Sequence, residues 1–368
     1  MSHTTIMPTR GPATPRVHFP FISKDAFISD TDKVALNNLI KLPLLPLVVR
    51  KFNEIAGDRV FYAQNSATSV RCGPNQFKTI YNLMREACAT MHIPEPEIYM
   101  KYDHTYNAYT AGMDRTFIVI HSALAEDFTD EELLYIIGHE TGHIKCGHVL
   151  YQMMGRMLIP MMEALGHATM GAGQLVAMPL VTAFYEWMRQ AEFSCDRAGL
   201  LVCQSPQVAF TATMKMGGGM TRFIDEMNTD AFLEQARQHA EGEGAEKVTK
   251  ALLFLMYNWQ LDHPQVVYRA KALDEWVNGG KYDTIMSGNY LQDVTGGSQL
   301  GHQVKCPKCR KTVSSTVQFC TDCGADLRGI NAPVVSTQAI ACPGCQQSVP
   351  AGIKFCPNCG HFTQAPAS

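Results

Sequence analysis

Two histidines and a glutamate are spaced as a metal site requires. The stretch Ile137–His143 reads IGHETGH, so His139, Glu140 and His143 form an HExxH pattern. On a helix, residues four apart project from one face, and two imidazoles there can bind one zinc ion. Glu140 then points to the side on which a zinc-bound water would lie, as a general base must. The alternative is a buried helix whose histidines only make hydrogen bonds.

A catalytic zinc also needs a third protein ligand and an open position for water. The metzincin spacing does not supply that ligand, because Cys146 and Val149 hold the relevant positions. His148 falls on a different helical face and is expected to be packed or to support a ligand. Glu192 and Asp196 again stand at i and i+4. One of these carboxylates could bind zinc while the other orients a histidine ring, and an ordinary solvated acid pair is the alternative.

A second set of metal-binding residues lies near the C-terminus. Eight of the 13 cysteines form Cys-x-x-Cys pairs there, in two copies with an offset of 36 residues. The copies are Cys306, Cys309, Cys320 and Cys323, and then Cys342, Cys345, Cys356 and Cys359. Four thiolates complete a closed tetrahedral shell, so each copy is predicted to be a zinc ribbon with one structural zinc. A redox dithiol is the alternative. Ribbons bind protein partners, bind nucleic acid or cap a domain, and we expect recruitment of a substrate or a protein partner.

The composition indicates a globular chain with an appendage. It has 368 residues, of which 46% are hydrophobic and 18% charged, which excludes a disordered or collagen-like chain. The net charge of -3 gives no reason to expect tight nucleic-acid binding. Six basic and two acidic residues from His302 onward leave the tail at +4, which suggests two functional parts. The five remaining cysteines show no pairing logic, so a cytoplasmic location is expected.

Local patterns place these residues on predicted elements. Thr129 and Glu132 form a capping box that opens the HExxH helix, predicted to run from Asp130 to about Met154. The β-type runs EIYMKYD and TFIVIH predict a small antiparallel sheet over about 96 to 121. Apolar periodicity predicts further helices at about 75–92, 175–203, 206–217, 229–240, 245–259 and 264–277. The predicted fold class is α+β, with a mostly helical core that contains the small sheet, followed by two ribbons.

The predicted boundaries follow composition. They are a disordered lead-in at 1–30, a core domain at 31–281, a linker at 282–304, ribbon one at 305–326, a linker at 327–340, ribbon two at 341–362 and a tail at 363–368. The N-terminus has no apolar run typical of a secretory signal. Segment 164–185 has no formal charge but contains several polar residues and glycines. We interpret it as a buried or hinged helix, with membrane contact as the less favoured alternative.

Five motifs occur in an order that is similar to that of a known family. They are NAYTAG at 107–112, FIVIHSAL at 117–124, ELLYIIGHETGHI at 132–144, AEFSCDRAG at 191–199 and HPQVVYRAKAL at 263–273. Together they resemble the HtpX-like and CaaX-prenyl-endopeptidase-like zinc metallopeptidases of metallopeptidase family forty-eight, a gluzincin family. The resemblance implies that His139, His143 and Glu192 bind one catalytic zinc, that Glu140 activates water and that Asp196 supports a ligand histidine.

The resemblance also suggests where substrate binds. In that family the NAY-type segment borders the cleft, where an extended peptide can add to an edge strand through backbone hydrogen bonds. Asn107 and Ala108 are the predicted substrate contacts, although Asn107 could simply form a turn. His263 and Arg269 match the family's His-Pro-x-x-x-x-Arg element. His263 could donate a hydrogen bond to the oxyanion or cap a helix, and Arg269 is assigned to substrate binding.

One departure from the family limits the substrate class. The membrane-embedded relatives carry transmembrane helices, whereas this chain offers only segment 164–185 at that place. We therefore expect a soluble relative and do not expect prenylated or intramembrane substrates. The leading hypothesis is a zinc metalloendopeptidase of polypeptide substrates with one catalytic and two structural zinc ions. The alternatives are a catalytically latent scaffold whose ribbons bind partners, and a membrane-associated protease.

Overall fold

The structure is a computed structural model, in which helices dominate. It describes residues 16–42, 45, 47–49, 52, 57–113, 115–155, 172–219, 221–240, 265–293, 303–314, 320, 323, 325, 327, 339–341 and 348–350. The helices are α1 (Asp30–Ile40), α2 (Gly57–Thr68), α3 (Lys78–Met91), α4 (Ser122–Asp127), α5 (Asp130–Cys146), α6 (Ala172–Cys203), α7 (Pro206–Gly218), α8 (Thr229–Ala240), α9 (Val266–Asn278) and α10 (Lys281–Met286). The strands are β1 (Val70–Arg71), β2 (Glu97–Lys101), β3 (Ala108–Ala111), β4 (Phe117–His121), β5 (Gln303–Lys305), β6 (Thr312–Ser314), β7 (Ala339–Ala341) and β8 (Ser348–Pro350). The predicted mostly helical α+β class with a small sheet is confirmed.

The four-stranded sheet of the core is mixed, with strand order β1-β2-β4-β3. β3 is antiparallel to β4, and β1 is antiparallel to β2. β2 and β4 are parallel, with Glu97 opposite Phe117 and Lys101 opposite His121. The prediction of a purely antiparallel sheet is therefore wrong for this central pair. The reason is that β3 lies at the edge of the sheet and runs antiparallel to β4. The chain therefore reverses twice, and β4 lies between β2 and β3 and runs parallel to β2.

Helix α5 is the central element, and nearly all of its side chains are buried. It begins at the predicted capping box, in which the Thr129 hydroxyl accepts from the Glu132 amide and Glu132 accepts from the Thr129 amide. It packs against α6, α3 and β3. The helix ends at Gly147, whose φ of +78° a glycine adopts without strain. The predicted continuous helix to Met154 is thus interrupted, and helical residues resume only at 149–155.

Two predicted connecting segments are partly folded. Phe19, Ile22 and Phe27 are buried, so the predicted lead-in of 1–30 extends too far into the fold. Tyr282 and Ile285 are buried on α10 within the predicted linker of 282–304. The two segments also contact each other through a β-bridge between residues 22 and 292. The composition of both segments indicated connecting chain, but each contains a few large apolar side chains. Burial of these side chains stabilises the packing of the described parts against the core.

Two predicted segments lie partly or wholly outside the described residues. The predicted helix at 245–259 is outside them, as are residues 164–171. Residues 172–185 belong to α6, which contains Pro179. In the part of the chain that the structure describes, none of the helices has the length and apolar character needed to span a membrane.

The backbone of the C-terminal part repeats as the cysteines do. β5 pairs antiparallel with β6, and β7 pairs antiparallel with β8. Each strand of the second hairpin lies 36 residues after its counterpart in the first. The cysteine repeat is therefore also a repeat of local structure.

Candidate metal centre

The α5–α6 pair brings the HExxH residues to the acidic pair. Glycines allow the two helices to approach closely, because a Cβ at Gly138 would lie 2.6 Å from the Val202 Cβ, and one at Gly142 would lie 2.7 Å from the Ala198 Cβ. These two glycines therefore provide the space that α6 occupies. Close contact of the helices places Glu192 opposite the two histidines.

Three candidate ligand side chains converge at this contact. His139 Nε2 and His143 Nε2 are 3.2 Å apart. The Glu192 carboxylate oxygens lie 3.2 Å from His139 Nε2 and 3.3 Å from His143 Nε2. A tetrahedral zinc with metal–ligand distances of about 2.0 to 2.1 Å has ligand–ligand edges of about 3.3 Å. The separations of the three side chains therefore fit one zinc ion.

Cys195 is a competing donor at the same place. Its sulfur lies within 4.8 Å of ring nitrogens of His139 and His143. The sulfur also faces His148 Nδ1 at 3.6 Å, and burial holds the pKa of the thiol well above its usual range. The Glu192 oxygens are closer to both Nε2 atoms. The distances therefore favour Glu192 over Cys195 as the candidate third ligand.

The buried ion pair of Asp196 and Arg269 contacts the second ring nitrogen of His139. His139 Nδ1 lies 3.0 Å from Asp196 Oδ1. Asp196 also accepts hydrogen bonds from the Tyr135 hydroxyl at 3.0 Å and from Arg269 Nε at 2.9 Å. Arg269 Nη1 is 3.6 Å from Glu192. Arg269 is buried. Its placement therefore favours a role in holding the two carboxylates in position, and not the predicted role in substrate binding.

The charges of this site shift the pKa values of its members. Burial disfavours the charged form of His139, but the carboxylates of Glu192 and Asp196 outweigh burial and raise its pKa to about 10. Burial would raise the pKa of Asp196, yet Arg269 and His139 hold it far below its usual range. For His143 burial dominates and lowers the pKa. The carboxylates of the site favour a bound positive charge, which either a proton on His139 or a divalent cation can supply. The donor set therefore fits a metal ion.

The Glu140 carboxylate is held by the edge strand of the sheet. Thr110 Oγ1 donates a hydrogen bond to Glu140 Oε2 at 2.7 Å, and it also lies 3.2 Å from the Glu140 carbonyl oxygen. Both side chains are buried. Thr110 was missed by the sequence analysis, although the period of two along a strand places it on the same face as the predicted Ala108.

The two predicted substrate contacts lie at the sheet edge. Ala108 begins β3, and the half-buried Asn107 directly precedes it. The Asn107 carbonyl accepts a hydrogen bond from the His121 amide at 3.0 Å. The main chain of Asn107 therefore faces β4 and not the outer edge. His263, the predicted oxyanion donor, lies outside the described residues.

A polar cluster adjoins His143. It contains the predicted supporting residue His148, whose Nδ1 lies 3.2 Å from His143 Nδ1, together with Gln152 and the buried Asp32. The periodicity of a continuous helix placed His148 on another face. The turn at Gly147 ends the helix and lets the ring fold back. No local signal marked Asp32, because an acid in the first turn of a helix is typical of solvated N-termini.

The first ribbon brings its four cysteines together. Their sulfur atoms all lie within 4.8 Å of one another, with Cys306 and Cys323 3.6 Å apart and Cys309 and Cys320 3.5 Å apart. Zinc–sulfur distances of about 2.3 Å imply sulfur–sulfur edges of about 3.8 Å. Backbone amides of Cys309 and Lys308 lower the pKa of Cys306 to about 6, which favours the thiolate. Cys342, Cys345, Cys356 and Cys359 lie outside the described residues.

Comparison with known proteins agrees with this geometry. The model of peptidase family M48 matches residues 74–277, which is more than half of the chain. The chain belongs to this peptidase family. The model of the double zinc ribbon matches residues 306–360. Family membership supports a metalloprotease, and the family and the first ribbon together support zinc as its metal.

Three similar proteins extend the comparison. A plastoglobule-localized metallopeptidase 48, chloroplastic, of Arabidopsis thaliana is 33% identical over 283 residues, which cover 74% of this chain and 78% of that protein. A protease HtpX homolog of Thermoanaerobacter pseudethanolicus is 26% identical over 30% of this chain and 38% of that protein. A protease HtpX of Legionella pneumophila is 19% identical over 44% of this chain and 62% of that protein. The chain thus spans less than two thirds of these two HtpX proteins. No solved structure gives a significant match.

Proposed function

We propose that this member of the family is a zinc metalloendopeptidase that cleaves polypeptides. The observation that carries the proposal is the convergence of His139, His143 and Glu192 within 3.3 Å of one another, on the helix that also bears Glu140. Such a site leaves one tetrahedral position for water, as a catalytic zinc requires. A scaffold would have no need of that open position.

The roles of the residues follow from their placement. When bound, zinc would polarise the scissile carbonyl and lower the pKa of a water molecule. Glu140 accepts a proton from the attacking water and returns it to the leaving amine, while Thr110 holds one of its carboxylate oxygens. Asp196 and Arg269 keep His139 and Glu192 in place. His263 stays the proposed donor to the oxyanion.

The edge strand supports cleavage within a chain. In an antiparallel pair the hydrogen-bonded residues alternate with residues whose backbone groups point away from the partner. The Asn107–His121 hydrogen bond and the Ala108–Ile120 register place the backbone groups of Ala108 and Thr110 on the outer edge of β3. A substrate strand added there would run past the Thr110–Glu140 contact. This mode of binding requires no free terminus of the substrate.

The ribbons and the compartment complete the proposal. We assign one structural zinc to each ribbon and propose that the ribbons recruit a substrate or a protein partner. The described cysteines, both the scattered ones and those of the first ribbon, are free of disulfides, which supports a reducing compartment such as the cytoplasm. The plastoglobule in the name of the Arabidopsis relative is a property of that protein.

Substitution of the general base tests the proposal. Purified wild type, Glu140→Gln and the surface control Glu126→Gln are each incubated with an unstructured peptide library, and the products are identified by mass spectrometry. Because the amide cannot accept the proton, Glu140→Gln should lose at least about a hundredfold in cleavage rate while it keeps its zinc. The control should cleave like the wild type. Equal cleavage by Glu140→Gln, or no cleavage by zinc-loaded wild type, would reject the proposal and favour the scaffold hypothesis.

A further inference from the structure

Each of the two histidine ligands has a second ring nitrogen that requires a partner. For His139 that partner is Asp196, at 3.0 Å from Nδ1. For His143, Nδ1 lies 3.2 Å from His148 Nδ1 and 3.0 Å from the Gln152 amide nitrogen. Such partners determine the tautomer and the orientation of a ligand ring. Among the described residues, the direct partners of His143 Nδ1 are an imidazole and an amide, and not a carboxylate.

A carboxylate is nevertheless reached through His148. The left-handed turn at Gly147 lets the His148 amide donate to the His143 carbonyl at 2.9 Å, which returns the His148 side chain to its neighbour. His148 is 1% exposed. Its Nε2 lies 3.2 Å from Asp32 Oδ2, which is within ion-pair distance but does not have the geometry of a hydrogen bond. The order of groups is therefore His143, His148, Asp32.

Asp32 is itself held rigidly. It is fully buried, and it accepts hydrogen bonds from Trp187 Nε1 at 3.1 Å and from Ser194 Oγ at 2.6 Å. Both donors belong to α6, the helix that carries Glu192. A buried carboxylate is costly unless its environment compensates the charge. Asp32 lies on α1, before the region 74–277 that matches the family model, so α1 adds a charged residue to the site from outside that region.

We propose that Asp32 and His148 are positioning residues for the zinc ligand His143. The inference rests on the proposed function, because it assumes that His143 binds the metal through Nε2. In that case Nδ1 of His143 carries the proton and donates to His148 Nδ1, and Nε2 of His148 carries its proton toward Asp32. Every ring nitrogen then has one defined role. With its amide oxygen turned toward the ring, Gln152 is a second acceptor for the same proton.

Zinc affinity tests the proposal without reliance on proteolysis. Full-length wild type, Asp32→Asn, His148→Phe and His148→Asn are titrated with a zinc chelator, and the cobalt forms are examined by absorption spectroscopy. Cobalt at the ribbons has sulfur-to-cobalt charge-transfer bands that a site of two histidines and a glutamate lacks, so the core metal is observed separately. Asp32→Asn and His148→Phe should each weaken core zinc binding about 10- to 100-fold and change the cobalt spectrum of the core. His148→Asn should bind core zinc more tightly than His148→Phe does, because the asparagine side chain can still accept a hydrogen bond from His143.

A control separates positioning from stability. Lys215 Nζ lies 2.7 Å from Glu132 in another buried ion pair of the core, so Lys215→Met should destabilise the protein and leave the core metal unchanged. Each variant is also unfolded with urea in the absence of metal. If Asp32→Asn and His148→Phe lower stability as Lys215→Met does but leave zinc affinity and the cobalt spectrum as in the wild type, the cluster only stabilises the fold. If Gln152→Leu alone reproduces the whole loss of affinity, Gln152 is the orienting residue and the proposal is rejected.

The same measurements distinguish this inference from the proposed function. Wild type that binds core zinc but cleaves no peptide contradicts the protease assignment and leaves the affinity differences interpretable. Active wild type whose affinity is insensitive to Asp32 and His148 contradicts the inference alone.

Discussion

At the residue scale, the properties of Glu140 depend on a hydroxyl group from the sheet. Thr110 donates to one carboxylate oxygen at 2.7 Å, and both side chains are buried, so few other orientations are open to the carboxylate. A hydrogen bond to a charged acceptor contributes roughly 1.5 to 3 kcal/mol. In a proposed general base, this energy helps to aim the oxygen that takes the proton.

Removal of that hydroxyl should slow the reaction. We expect Thr110→Val to lower kcat by about 10- to 100-fold, with KM and zinc content close to those of the wild type, because the base loses its orientation and not its charge. Steady-state kinetics on a peptide found in the library experiment provide the measurement. Thr110→Ser keeps the hydroxyl and should stay within a few-fold of the wild type. A Thr110→Ser variant as slow as Thr110→Val would mean that the threonine methyl group, through packing, is what matters.

At the element scale, the α5–α6 contact determines the distance between the proposed zinc ligands. A Cβ on Gly142 would lie 2.7 Å from the Ala198 Cβ and 3.1 Å from the Cys195 Cα. Neither atom is the end of a flexible side chain, so the helices would have to separate. Because His143 belongs to one helix and Glu192 to the other, any separation also widens the metal site.

Gly142→Ala should therefore destabilise the protein although alanine is the better helix former. The gain in helix propensity of about 1 kcal/mol is outweighed by an overpacking cost of typically 1 to 3 kcal/mol, and core zinc affinity should fall as well. Urea denaturation of the metal-free protein and a chelator titration measure the two effects. Gly218→Ala is the matched control, because nothing lies within 4 Å of a Cβ built there at the end of α7. A Gly142→Ala protein as stable as the control would show that the helices can adjust.

At the scale of the whole molecule, the metal has a different role in each part. The protease core has a large apolar interior, to which α1, the sheet and α6 all contribute. The ribbons are too short to form such an interior and depend on their cysteine sites. We therefore expect the core to fold through burial of its apolar interior, and each ribbon to fold only as it binds its proposed zinc.

Metal analysis of variants tests this division. The wild type should bind three zinc ions, and the double substitution of Cys306 and Cys309 by serine should bind two, because one four-thiolate site is lost. Cleavage of a short peptide should stay unchanged, while cleavage of a folded protein substrate should decrease if the first ribbon recruits it. Zinc is counted by mass spectrometry under native conditions. Loss of peptide cleavage in this variant would contradict the separation of roles.

The accuracy of the sequence predictions depended on the range of the interactions involved. The capping box at Thr129, the two histidines at i and i+4 and the first copy of the Cys-x-x-Cys pairs are short-range patterns, and each appears in the described residues. The parallel pairing of β2 with β4 was not predictable in this way, because it depends on where β3 lies. The break at Gly147 was missed because an apolar pattern continues beyond it.

By itself, the sequence determined the type of chemistry, because residue types at fixed helical or loop spacings are sufficient to present metal ligands. Tertiary structure alone decided which side chains support those ligands. Thr110 lies 30 residues from Glu140, and Arg269 lies 73 residues from Asp196. Asp32 reaches His148 only because α1 packs on α6. Such partners have no common spacing in the chain, since they meet only when the apolar faces of separate helices and strands are buried together.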